Sequence, residues 1–158
     1  MKISFELKQL PGLHVACARN VGPYNTIGRA FERLSGWAGP LGLMGRPDVK
    51  VLAVYHDDPE KTRPEDLRAD ACVTIPPGTA VGGDVATMTV PGGLFAVAHA
   101  EIAPTEFGAA WNKLLCEWLP QSGFQPDDRM CYEVYLNDHE QHPEKRFIVD
   151  ICEPVKPA

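Results

Sequence analysis

Two segments of this chain repeat each other, and that repeat restricts the fold more than any other feature. Val49-Lys50-Val51-Leu52-Ala53-Val54-Tyr55-His56-Asp57-Asp58 recurs as Arg129-Met130-Cys131-Tyr132-Glu133-Val134-Tyr135-Leu136-Asn137-Asp138, with Val54 over Val134, Tyr55 over Tyr135 and Asp58 over Asp138. The same offset sets Ile27-Gly28-Arg29-Ala30-Phe31 over Phe107-Gly108-Ala109-Ala110-Trp111, Leu34 over Leu114, and Asp70-Ala71-Cys72 over Asp150-Ile151-Cys152. With one residue of slippage, Pro11-Gly12-Leu13 matches Gly92-Gly93-Leu94. Each match is weak alone, but they agree in order and spacing. Two copies are too few for a solenoid. The reading is an internal duplication: one domain over residues 1–158, built of pseudo-symmetric halves at about 1–77 and 83–158 that share a core. The boundary falls at Pro76-Pro77-Gly78 and Gly82-Gly83, where turn residues cluster.

Each half reads as strand, turn, strand, helix, strand, loop, strand. In the first half, apolar and polar residues alternate over Ile3 to Leu7, and Leu13, Val15 and Cys17 share one strand face. Ile27, Phe31, Leu34 and Ala38 recur at helical spacing. Strands are expected at Val49 to His56 and Ala69 to Ile75. In the second half they are expected at Val85 to Val90, Leu94 to Ile102, Met130 to Leu136 and Arg146 to Cys152. Between them, Thr105 is the expected N-cap of a helix with Phe107, Trp111, Leu114, Leu115 and Trp118 on its apolar stripe. Eight strands and two helices without βαβ alternation predict an α+β fold with a mainly antiparallel sheet. Gly28 and Gly108 stand at the same place in the two helices. A helical glycine costs about 1 kcal/mol against alanine, so close backbone packing is expected there.

Composition narrows the partners. Charged residues are 23% of the chain and the net charge is −6. No Lys/Arg cluster marks any element, which argues against direct nucleic-acid binding. No apolar run approaches the roughly 18 residues of a membrane span, and Met1-Lys2-Ile3-Ser4-Phe5-Glu6 enters a strand directly, so neither membrane insertion nor a leader is expected. The five cysteines lack metal or redox spacing and read as buried thiols of a reducing compartment, the cytoplasm. Asp138-His139-Glu140-Gln141-His142 has the residue types of a metal site, but its counterpart Asp58-Pro59-Glu60-Lys61-Thr62 has no histidine. It reads as a solvated loop, and neither metal nor cofactor is expected. His14 and His99 show no acidic partner at useful sequence spacing.

Glu133 is the anomaly. It sits mid-strand, sharing a face with Cys131 and Tyr135, where the other half has Ala53. A buried unpaired carboxylate costs several kcal/mol, so this residue belongs to a wet face or to a cavity that receives a positive group. A carboxylate among aromatic rings suits an organic cation, which gains about 0.5–2 kcal/mol from each cation–π contact. The aromatic residues available for such a wall are Tyr24, Trp37, Tyr55, Phe95, Trp111, Trp118 and Tyr135.

Assembled in order, these segments resemble the GyrI-like family, which includes the DNA gyrase inhibitory protein and the effector-binding domains of AraC-type and MerR-type regulators. The resemblance rests on Val21-Gly22-Pro23-Tyr24, Trp37, Tyr55-His56-Asp57-Asp58-Pro59, Leu67-Arg68-Ala69-Asp70, Pro91-Gly92-Gly93, Trp111, Trp118-Leu119-Pro120 and Tyr132-Glu133-Val134-Tyr135-Leu136-Asn137-Asp138. It implies a duplicated strand-helix-strand-strand (SHS2) fold and a multidrug-type pocket in the pseudo-twofold groove. It also implies that Glu133 meets a cationic, aromatic ligand, with Trp37, Tyr55, Phe95, Trp111 and Tyr135 as the candidate wall. No helix-turn-helix accompanies the domain here, so a stand-alone binding module is expected rather than an enzyme. The alternatives are a gyrase-inhibiting protein contact and a hydrolase of cyclopropane-bearing toxins that uses Glu133.

Overall fold

A computed structural model describes residues 1–158 as nine strands and two principal helices, an α+β fold. The chain separates into two compact units, Gly12–Pro91 on one hand and Met1–Pro11 with Gly92–Ala158 on the other.

The Gly12–Pro91 unit holds strands β2 (Leu13–Val21), β3 (Val51–Tyr55), β4 (Arg68–Thr74) and β5 (Val85–Val90), with helix α1 (Gly28–Ala38). Its strand order is β3-β4-β2-β5, with every pairing antiparallel. Alternation puts Ala16 and Ala18 of β2 and Ala71 and Val73 of β4 on the face under α1, where they pack with Ala30, Leu34 and Ala38. The alanines let helix and sheet approach closely, and Leu34 fills the space between them. On the opposite face Asp70 is buried and takes Arg19 on both oxygens, at 2.7 and 3.2 Å, and His56 at 2.6 Å. Burial alone would raise the pKa of this carboxyl, but the hydrogen bonds from His56 and Arg19 outweigh it and hold the group below its usual range.

The other unit holds β1 (Lys2–Leu10), β6 (Gly93–Ile102), β7 (Phe124–Pro126), β8 (Cys131–Tyr135) and β9 (Phe147–Pro157). The order is β1-β6-β9-β8, with β7 also on β9, again antiparallel. Helix α2 (Phe107–Asn112) continues as a π-helical stretch over Lys113–Trp118. Its core repeats the first unit's plan, with Ala96, Ala98 and Ala100 of β6 and Ile151 of β9 beneath Ala110 and Leu114. Trp118 stacks on Phe5 of β1, ring centroids 5.7 Å apart. Arg129 pins the start of β6, donating to the carbonyls of Gly92, Leu94 and Val155. Its guanidinium occupies the space a side chain at Gly93 would need, and Gly93 has φ +140.

Several expectations are corrected. The first strand of each sequence half pairs outside it: β1 pairs with β6, and β5 pairs with β2, so the compact units, Gly12–Pro91 and Met1–Pro11 with Gly92–Ala158, are offset from the sequence repeat. There are nine strands rather than eight, because Phe124–Pro126 adds a short strand that pairs with the extended end of β9. The N-cap of α2 is Glu106, not Thr105, and its carboxylate accepts from Ala103 N at 2.7 Å. A Cβ added at Gly28 or Gly108 would meet nothing within 4 Å, so close packing does not explain these glycines. His99 does have an acidic partner, Asp150 across the β6–β9 pair at 2.6 Å.

Leu114→Ala should therefore destabilise the protein by about 2–5 kcal/mol, whereas Gly108→Ala should be neutral or stabilise it by up to about 1 kcal/mol. Chemical denaturation of the two variants checks both. A loss of stability in Gly108→Ala would restore the close-packing explanation.

Candidate functional site

β8 builds the site because its side chains alternate between two environments. Tyr132 and Val134 point away from α2, and Tyr132 meets Phe95 edge-on at 5.4 Å. Glu133 lies opposite Ile151 and Tyr135 opposite Val149, so both face the α2 side. There Glu133 is 2% exposed. Trp111 of α2 donates its indole N–H to Glu133 Oε2 at 2.6 Å, and the Tyr135 hydroxyl donates to Oε1 at 2.9 Å. Hydrogen bonds to a charged group contribute about 1.5–3 kcal/mol each, which offsets much of the cost of burying the carboxylate.

Rings surround this carboxylate. Tyr135 contacts Phe147 at 5.9 Å and Phe107 at 6.4 Å, and Phe107 and Phe147 meet edge-on at 5.0 Å. Cys131 precedes Glu133 on the same face. Burial pushes its thiol up to about 12, with the charges of Glu153 and Glu133 adding to the effect, so it stays a neutral thiol. No group of three or more His, Cys, Asp or Glu side chains is placed to hold a metal.

The structure brings Glu133, Trp111 and Tyr135 together. It sets Phe95 apart: that ring is fully buried on the opposite sheet face, with Arg129 stacked over it at 4.9 Å. Phe95 follows from the strand alternation as a core residue, not as part of the wall around Glu133. Trp37 and Tyr55 belong to the Gly12–Pro91 unit. Trp37 packs on that unit's core, and Tyr55 lies against Tyr24 at 4.7 Å. Sequence reasoning missed Phe147 and the grouping of Phe107 with Tyr135. The signal was available, since Phe147 shares a strand face with Val149 and Ile151. The loop histidines are more engaged than expected. His139 stacks on Phe147 at 4.1 Å, and His142 donates to Glu101 at 2.6 Å. A separate open groove of about 500 Å³ lies along Ile3, Phe5, Lys113 and Trp118; of the aromatic residues considered for the wall, Trp118 alone lines it.

The chain belongs to the GyrI-like small-molecule-binding domain family, whose profile matches residues 3–156. A relative named DNA gyrase inhibitor 2, from Dickeya dadantii (strain 3937), is 40% identical over 81% of this chain and 82% of its own length. The fold is shared with the EcmrR C-terminal domain, with a TM-score of 0.77, 15% identity and full coverage of both chains. It is also shared with SAV2435, solved bound to tetraphenylphosphonium, with a TM-score of 0.66, 14% identity, and 97% and 94% of the two chains covered. No helix is long and apolar enough to cross a membrane.

Trp111→Phe keeps the ring and deletes the donor to Glu133. It should cost about 1.5–3 kcal/mol of stability, and clearly less in a Glu133→Gln background. Urea unfolding of the two singles and the double variant measures the coupling. Equal costs in both backgrounds would show that the indole–carboxylate bond contributes nothing.

Proposed function

We propose that this domain binds organic cations, with the Glu133 carboxylate as the charge that receives them and Trp111 and Tyr135 as aromatic contacts. One observation carries the reading: a charged side chain is buried among aromatic rings at a position where the duplicated unit has Ala53, also fully buried. Packing does not require a glutamate there. The likeness to a protein solved with an organic cation supports the same class of ligand. In a low-dielectric site, truncating one member of a charge pair typically costs about 2–5 kcal/mol of affinity.

Glu133→Gln keeps the shape and removes the charge. Fluorescence titration with ethidium, an aromatic monocation, should show affinity falling at least tenfold, about 1.4 kcal/mol. Neutral aromatic compounds should be little affected. Unchanged ethidium affinity would remove Glu133 from the site. If binding survives in the variant while turnover of a reactive electrophile by the wild type disappears, the carboxylate is a catalytic base and the protein a hydrolase.

A second reading rests on the 40% identity to a protein named DNA gyrase inhibitor 2. On that reading the domain acts by contacting DNA gyrase, and supercoiling should be inhibited near stoichiometric concentration. Full supercoiling at a large excess of the protein would exclude it.

A further inference from the structure

Glu153 is a second carboxyl on the face that carries Glu133, half-buried where Glu133 is buried. It stands on β9 opposite Ala96 of β6. The β8–β9 register runs through Tyr132↔Cys152 and Glu133↔Ile151, so its next step sets Glu153 beside Cys131. Glu153 and Glu133 are thus diagonal neighbours on adjacent strands, a relation that places Cα atoms about 7–8 Å apart. The Cys131 thiol between them feels both charges. Unlike Glu133, Glu153 takes part in no hydrogen bond or ion pair. Arg129, two residues before Cys131, is committed to Asp127 and to the carbonyls of Gly92, Leu94 and Val155.

The duplication supplies an internal control. At the positions equivalent to Glu133 and Glu153 the other unit has Ala53 and Val73, both fully buried. The fold therefore closes at both places with apolar side chains. One unit has exchanged both for carboxylates on adjacent strands of a single face, one buried and one half-buried, and the cost of drawing them out of water is one that packing alone does not recover.

We propose that Glu153 is a specificity-determining residue of the ligand site. It receives a second cationic centre, so the preferred ligands are aromatic dications whose charges are a few bonds apart. This rests on the cation-binding reading of Glu133 and extends it. Burial raises the Glu153 carboxyl to about 7, while its neighbours on β8 are the neutral Cys131 thiol and the Glu133 carboxylate. Near neutral pH it is therefore partly protonated. A second positive charge favours the ionised form, so affinity for a dication should rise from pH 6 to pH 8, as the proton is lost before the ligand arrives.

Propidium and ethidium test this, because they share a ring system and propidium adds a quaternary ammonium on a three-carbon arm. Wild-type protein at pH 8 should bind propidium at least tenfold more tightly than ethidium, and the advantage should shrink at pH 6. Glu153→Gln should bring propidium down to the affinity of ethidium, leave ethidium within about twofold, and flatten the pH dependence. Glu153→Val, which copies Val73, should melt at a higher temperature than wild type, showing that the carboxyl is not structural. Equal affinity for the two dyes, with ethidium still dependent on Glu133, would overturn the role of Glu153 and leave that of Glu133 intact. Ethidium binding that ignores Glu133→Gln, or no binding of either dye to the wild type, would overturn both. A Glu153→Val variant that unfolds more easily would make Glu153 a structural residue and end the proposal.

Discussion

The carboxylate of Glu133, held by the indole of Trp111 and the hydroxyl of Tyr135, is the interaction on which the site depends. Ionised carboxyls leave water at a cost of several kcal/mol unless donors replace the hydration shell. Here one donor comes from α2 and the other from β8 itself. The helix must therefore sit at a fixed height over the sheet. The alanines of β6 and the Leu114 contact set that height. Core packing and site geometry are in this sense one construction, and a change under α2 moves the indole as well as the core.

The duplicated chain shows what the fold requires and what it does not. Leu34 and Leu114, Ala30 and Ala110, and the alanines of β2 and β6 occupy equivalent places in both cores. Ala53 and Glu133, Val73 and Glu153, and Phe31 and Trp111 differ, and all three differences put polar groups on the same side of one unit. The polar group of the Gly12–Pro91 unit lies instead on the face away from its helix, where Arg19 and His56 satisfy Asp70. That network is complete in itself and reads as structural.

Much of this was legible in the sequence for physical reasons that can be stated. Helical spacing of Leu34 and Leu114 and the alternation of β8 are local patterns, and they identify both helices, most strands and the exceptional position of Glu133. The Trp111–Glu133 pair was legible only as two separate candidates, because hydrogen bonding depends on helix height over the sheet. Phe95 was misplaced because an aromatic residue in a buried strand carries no label for its face until the register is known. The exchange of β1 and β5 between the sequence halves was invisible, since strand pairing is non-local and both strands have ordinary alternation. His99 with Asp150 was missed for the same reason, since strand pairing joins them, and His142 with Glu101 because the loop after β8 folds back onto β6.

The central claim is that Glu133 is retained for a ligand rather than for the fold. Unfolding free energy of wild type and Glu133→Gln, each with and without a saturating organic cation, tests it most directly. An amide can still accept from Trp111 and donate to Tyr135, so the account predicts that the variant without ligand is as stable as wild type or more so. A ligand at 100 times its Kd adds about 2.7 kcal/mol to a protein that binds it. The account predicts that gain for wild type and most of it lost in the variant. A variant destabilised by several kcal/mol, yet stabilised by the cation as strongly as wild type, would contradict it.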